Sequence, residues 1–155
     1  MLSGIQNRNW INQPYKAHAM AQAVQELYPD VKVTIGPVIE DGFFYDFDAP
    51  KPFTPEDLEK IEKKFKEVLK QDYEITREDW PKSKAIETFQ KMGENFKVEL
   101  IESIADETVG IYKNADKWFD LCKGPHVQRL GQIKAIKVLT QAGAYWRGNE
   151  NNKML

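Results

Sequence analysis

Cysteine and histidine are scarce here: 155 residues contain one cysteine, Cys122, and two histidines, His18 and His126. A single cysteine excludes an internal disulfide and points to a reducing compartment. Excess charge of either sign is missing too, with 22 basic and 24 acidic residues and a formal charge of −2. That balance argues against a domain that grips long nucleic acid by its phosphates, since such domains are usually basic. A nucleic-acid partner would have to be met locally or held mainly by something else. No apolar run approaches the roughly 18 residues of a membrane span. The opening MLSGIQNRNWINQPYKAH has no hydrophobic signal core. It lacks acidic residues until Glu26, a transit-peptide trait, but Arg8 and Lys16 are its only positive charges. A cytoplasmic protein with no membrane partner is the expectation. Repeats, low-complexity tracts and Gly/Ser linkers are absent, so residues 1–155 read as one domain.

What is present is ordinary globular material, 41% apolar and 30% charged, enough for a real core at this length. AHAMAQAVQELY (17–28) reads as a helix with Ala17, Met20, Val24 and Leu27 on one stripe, stopped by Pro29-Asp30. Val31, Val33 and Ile35 alternate with polar residues, and the aromatic GFFYDFD (42–48) suits a strand pairing with them. Ile39-Glu40-Asp41-Gly42 suits a hairpin connection. Thr54-Pro55-Glu56-Asp57 carries an N-cap, a proline at the first helical position and an acidic residue three after the cap. Leu58, Ile61, Phe65, Val68 and Leu69 then mark one helical face to about residue 71. A short strand at Tyr73–Thr76, a helix at Lys82–Met92 and an amphipathic piece at Asn95–Ile104 follow. Strands are expected at Val109–Tyr112, Trp118–Leu121 and Ile133–Ala142, and the small, aromatic run 142–148 suits a strand lying close to another group. The class is α+β, a mainly antiparallel sheet packed with three or four helices.

Cys122-Lys123-Gly124-Pro125-His126 sets a thiol and an imidazole four positions apart, in a loop or turn given its Gly-Pro. Asp120, two before Cys122 on a strand, would point to the same side. Each feature has a plain alternative. A lone cysteine is most often a small buried hydrophobe, a helical His18 a hydrogen-bonded structural residue, and Lys97 a solvated one. Composition and spacing end at an α+β domain with a possible Cys/His/Asp cleft.

Four stretches, AHAMAQAVQELYPD (17–30), VTIGPVIEDGFFYDFD (33–48), FDLCKGPHV (119–127) and AGAYWRGNENNKML (142–155), closely resemble the editing domain of threonyl-tRNA synthetases. KPFTPEDLEKIEKKFKEVLKQ and NFKVELIE match as well, so the resemblance runs in order from about residue 15 to the end. Alanyl-tRNA editing domains share the layout less closely. The resemblance implies an α+β cleft that receives a tRNA 3′ end and cleaves the ester of a wrong amino acid. The family pattern carries His-x-x-x-His on a helix and Cys-x-x-x-His later. His18 matches the second histidine of the first pair, and Cys122 and His126 match the later pair. Lys97, Asp120, Tyr45 and Asp46 fall on positions lining the same pocket. Pro14 stands where the first histidine is expected, in the divergent segment 1–14.

The implied reaction is proofreading of seryl-tRNA(Thr). Serine and threonine differ by one methyl, a difference worth only about 1–3 kcal/mol to a synthetic site, so a second sieve is needed. That implies a tight pocket just large enough for a seryl ester. The catalytic set is His18, Lys97, Asp120, Cys122 and His126. His18 would position or activate water, Lys97 would stabilise the carbonyl oxygen, and Asp120 would orient Lys97 or the substrate ammonium. His126 with Cys122 would hold the ribose and ester, and Tyr45 and Asp46 would bind the amino acid or adenosine. No cofactor is expected. Three alternatives stand beside this. Zinc could be held by His18, Cys122 and His126, Cys122 could act as a nucleophile, or a domain with Pro14 could bind charged tRNA ends without turnover. Lys123, Arg129, Lys134, Lys137 and Arg147 could form a basic rim. The expected partners are the 3′ end of tRNA(Thr) and other synthetase domains, the chain reading as a fragment or a truncated paralogue.

Overall fold

The computed structural model describes residues 2–5, 13–34, 36, 38–39, 42–122, 128–133 and 136–155. Strand β1 (Leu2–Ile5), inside the divergent N-terminal segment, was not expected from the sequence. Helix α1 follows at Gln13–Leu27, four residues earlier than its apolar stripe suggests. Pro14 is tolerated there because a first-turn proline gives up no intrahelical bond. The stripe also understates the helix. Every residue from Lys16 to Val24 is buried, including His18 and Gln22, so α1 is a central rod rather than a surface helix.

The extended stretch after it breaks into β2 (Lys32–Val33), β3 (Val38–Ile39), β4 (Gly42–Tyr45) and β5 (Phe47–Asp48). β2 pairs with β5, as the aromatic run suggested. Ile39 pairs with Gly42 across β3 and β4, as a hairpin requires, while Glu40 and Asp41 lie outside the described residues. Helix α2 (Pro55–Lys70) forms as its cap signature predicts. The Thr54 side chain accepts from the Asp57 amide and the Asp57 carboxylate returns to the Thr54 amide. Ile61, Phe65, Val68 and Leu69 face inward against α1.

Strand β6 (Ile75–Pro81) starts later and runs much further than expected. Its centre, Thr76–Asp79, is exposed and polar. It is an edge strand, and charge on an edge discourages pairing with other chains, so hydrophobic pattern could not reveal it. Helices α3 (Lys82–Lys91) and α4 (Asn95–Glu102) lead to β7 (Thr108–Asn114) and β8 (Trp118–Leu121). A 3-10 turn (Leu130–Gln132) precedes β9 (Lys137–Gln141), shorter than predicted. The run 142–148 is not a strand. Trp146–Gly148 forms a 3-10 turn with Arg147 and Gly148 at positive φ, and Tyr145 bridges to Met154. The close approach expected there does occur: a Cβ on Gly143 would lie 3.0 Å from Met154 Sδ.

Every described pairing is antiparallel, in sheets ordered β3-β4-β1-β9, β2-β5 and β6-β7-β8. With four α-helices among the described residues, this is the expected α+β class. Two apolar clusters divide the interior. The larger joins α1, α2 and β4, and the smaller packs α3 and α4 on one face of the three-stranded sheet through Trp80, Phe89, Val109 and Ile111. The sheet's opposite face looks towards α1. That seam holds the polar side chains described next. No helix among the described residues is long and apolar enough to cross a membrane.

Candidate functional site

Strand alternation in Trp118-Phe119-Asp120-Leu121 sends Phe119 and Leu121 to the smaller cluster and turns Asp120 to the other face. Asp120 is 1% exposed, and all of its accepting capacity is used. Its Oδ2 accepts from His18 Nδ1 at 2.9 Å and from the Tyr45 hydroxyl at 2.7 Å. Its Oδ1 accepts from Lys97 Nζ at 2.6 Å and from the Leu121 amide at 2.8 Å. Lys97 also donates to the Tyr45 hydroxyl at 2.9 Å, its ammonium lying 5.4 Å from the Tyr45 ring centre. Three elements, α1, β4 and α4, thus deliver one side chain each to a single carboxylate on β8.

Each contributor is held by local structure. Tyr45 alternates inward with Phe43 on β4 and stacks on Phe47 at 5.0 Å. Lys97 sits at the start of α4, which Glu94 ties down. Glu94 is 3% exposed, with one oxygen accepting from Gln25 Nε2 at 2.7 Å and the other from the Val33 amide at 3.1 Å. Gln25 in turn accepts from Trp118 Nε1 at 2.9 Å, and the Trp118 ring lies 6.0 Å from that of His18. Cys122, half-buried, extends the β7–β8 ladder by one bond, its amide donating to the Gly110 carbonyl at 3.0 Å. Its thiol hydrogen-bonds His18.

The charges follow from this packing. Burial alone would push the Asp120 carboxyl up, but the Lys97 ammonium and His18 hold it well below the usual carboxylate range. Burial alone would strip His18 of its proton; Asp120, with Cys122, overcomes this and raises the imidazole to about 9. At neutral pH two cations therefore share one carboxylate. Tyr45 is pushed well above the usual phenol range by burial and by Asp120, so it stays a neutral donor. Folding sharpens a stability prediction. Because His18 in the folded protein titrates above its ordinary 6.5, its contribution is complete below about pH 6.5 and disappears as pH rises through about 9. Unfolding free energy is expected to fall by about 2–3 kcal/mol across that window. Denaturant titrations at successive pH values read this, and His18→Gln should flatten the slope.

These side chains line a cavity of about 580 Å³ that continues past Thr34, Gly36, Gly110, Leu100 and Ile104 to a mouth with Arg77, Asp79, Ser103 and Asp106. A hollow just large enough for a seryl ester was expected. The actual cavity has the size of a general small-molecule site, because the gap between β6 and α4 is continuous with the inner chamber. Gly36 shapes the inner wall, since a Cβ there would lie 2.3 Å from Tyr45 Cδ2 and displace the ring.

Of the residues singled out by sequence, His18, Lys97, Asp120, Cys122 and Tyr45 converge on this cavity. Asp46 does not line it. Strand alternation turns Asp46 away from Tyr45, its carbonyl accepts from the Thr34 amide and hydroxyl, and its Oδ1 is buried without a hydrogen-bond partner among the described residues. His126 lies outside the described residues, and so do Lys123 and Lys134. Zinc at His18, Cys122 and His126 therefore has two of its ligands at the cavity. Among the described residues no group of three or more His, Cys, Asp and Glu is placed to hold a metal. Arg129 and Arg147 do not form a basic rim at the cavity, since they pair with Asp72 at 3.0 Å and Glu99 at 3.6 Å away from it. Among the described residues, Arg77 is the cation that lines the mouth. Sequence reading missed it, along with Glu94, Gln25 and Gly36, because their roles depend on neighbours remote in the chain.

Residues 109–155 match the family described as the threonyl and alanyl tRNA synthetase second additional domain. The chain is 63% identical over 142 residues to a threonine–tRNA ligase of Bdellovibrio bacteriovorus, covering 90% of this chain and 22% of that protein. It is 54% identical over 140 residues to the Cupriavidus pinatubonensis enzyme of that name (90% and 22%). Against the Agrobacterium fabrum enzyme identity is 56% over 141 residues (90% and 21%). The chain thus spans about a fifth of the length of these relatives.

Proposed function

We propose, from the premise that this chain belongs to the threonyl and alanyl tRNA synthetase second additional domain family, that it is a proofreading deacylase for seryl-tRNA(Thr). The observation that carries this reading is the pair of cations, Lys97 and protonated His18, sharing the single carboxylate of Asp120 inside an open cavity. The excess positive charge is buried and preorganised. It suits the negative oxygen that develops when water adds to an ester carbonyl.

Water bonds to the carbonyl carbon and gives up a proton to solvent through the open cavity. The bond to the ribose oxygen then breaks, and that oxygen takes a proton from His18, which is reprotonated from solvent, leaving free amino acid and a tRNA with its terminal hydroxyl restored. Lys97 spends two of its three N–H groups on Asp120 and Tyr45, so the third is available to the carbonyl oxygen. A proton held to about pH 9 makes His18 a donor at neutrality rather than the acceptor of water's proton. Its natural role is to hold or protonate the ribose oxygen. Asp120, already saturated, orients these donors and has no capacity left for a substrate ammonium. Nothing in this scheme calls on a cofactor. Serine as substrate rests on the family likeness. Threonine would be rejected by a local clash of its methyl near Tyr45 and Gly36, since the cavity's total volume would admit both.

Purified protein should release serine from mischarged tRNA(Thr) at about 100-fold or more above the buffer rate, and spare the threonyl ester by about tenfold or more. Serine release at the buffer rate would remove the reading.

A second reading, a binder of charged ends without turnover, is favoured by Pro14. Helix α1 begins at Gln13, so position 14 lies one turn before His18 on the same helical face. If a donor or base is missing there, Pro14→His should raise the deacylation rate about tenfold or more. An unchanged rate alongside measurable wild-type activity would discard this second reading.

A further inference from the structure

The face of the three-stranded sheet that carries Asp120 also carries a second charged row member. In the β6–β7 and β7–β8 registers, Arg77 stands opposite Tyr112 and Tyr112 opposite Asp120. Asp79 stands opposite Gly110, whose carbonyl receives the Cys122 amide. Residues directly opposite share a face, so Arg77 and Asp120 lie on one surface, two strand spacings or about 10 Å apart. The Arg77 side chain, half-exposed, lies back over the sheet. Its Nε and Nη2 lie 3.3 Å from where a Gly110 Cβ would be, and its guanidinium is 5.9 Å from the Tyr112 ring centre. Gly110, having no side chain, leaves the space in which the guanidinium lies along the cavity floor. Arg77 and Lys97 are the lysine and arginine side chains of the described lining, and Lys97 is committed to Asp120 and Tyr45. At the mouth Arg77 is accompanied by two carboxylates, Asp79 and Asp106, and Asp79 holds it at 2.9 Å.

We infer that Arg77 takes the phosphodiester on the 5′ side of the terminal nucleotide whose ester lies at Lys97 and His18, exchanging its bond to Asp79 for one to phosphate. The inference rests on the deacylase reading for its substrate. A guanidinium offers phosphate two parallel donors, which a point charge does not. The Arg77 and Asp120 positions, about 10 Å apart along the sheet, are close enough for one terminal nucleotide to reach from the ester to its phosphate. Asp79 and Asp106 being the other charged side chains of the described mouth, a phosphate there has one favourable place to bind. The exposed Arg77–Asp79 pair adds little to stability in its resting state, so its exchange is inexpensive.

The test compares seryl-tRNA(Thr) with the seryl ester of adenosine, which has no phosphate, and measures binding of an RNA hairpin ending in CCA. Arg77→Gln is expected to lower kcat/KM on the charged tRNA by about fivefold or more beyond any loss on the adenosine ester, acting through KM. The salt dependence of hairpin binding should lose roughly 0.7 in its log–log slope, the signature of one released counterion. Asp79→Asn, which frees Arg77, should tighten hairpin binding. Equal losses on both esters, or an unchanged salt slope, would overturn the inference. If the wild-type protein cleaves neither ester, the deacylase reading fails by itself, and the hairpin titrations still decide the place of Arg77.

Discussion

Asp120→Asn is expected to cost about 3–5 kcal/mol of stability, because it leaves the buried Lys97 ammonium without its counter-charge. It should also abolish measurable deacylation, a loss of about 100-fold or more. The amide keeps the shape of the carboxylate and loses its charge. One of its two ends becomes a donor facing the donors that Asp120 now satisfies at 2.6 to 2.9 Å. His18 loses the group that holds its proton, so burial drives it to the neutral form. Denaturant unfolding and serine release measure the two effects. They can be separated in the double variant Asp120→Asn with Lys97→Met, where the orphaned charge is also gone. Stability should recover substantially there while activity stays lost. Near-wild-type serine release from Asp120→Asn alone, assayed well below its unfolding transition, would mean that Asp120 acts only through folding.

Lys97→Met should lower kcat about 100- to 1000-fold with little change in KM, as expected when a donor to the developing oxyanion is removed. Methionine matches the lysine stem in length and suits a cavity that is also lined by Leu100 and Ile104. Asp120 keeps His18, Tyr45 and the Leu121 amide, so the fold should tolerate the change better than loss of Asp120. A rise in KM at constant kcat would instead make Lys97 a ground-state binding group. A fall matched by an equal loss of cooperative unfolding would make it structural.

Local signals were legible wherever the chain's own chemistry sets the structure. Thr54 through Asp57 spell a capping box, and the helix they open has the predicted bounds within a residue or two. Trp118–Leu121 was readable as a strand from its alternation. β6 was readable only at its start, since its exposed Thr76-Arg77-Glu78-Asp79 centre looks like a loop until β7 is placed beside it. β1 was not readable, since its four residues become a strand by lying between β4 and β9. The resemblance named most of the residues that meet at the cavity, but it assigned Asp46 to a wall it does not line and overlooked Arg77 at the mouth. Strand parity decides both.

The amino-acid order by itself determined the class of the fold, its principal helices, the absence of a disulfide and the roster of groups able to handle an ester. Those follow from short-range preference, periodicity and residue chemistry, none of which needs a distant partner. Tertiary structure alone decided their states. Residues 18, 45, 97 and 120 exchange protons and hydrogen bonds only after three separate elements pack around one carboxylate. Asp120, with Cys122, then outweighs burial and holds a proton on His18, turning an expected base into a cation. An interaction energy of that kind depends on separation and solvent exclusion in three dimensions, and neither is written along the chain.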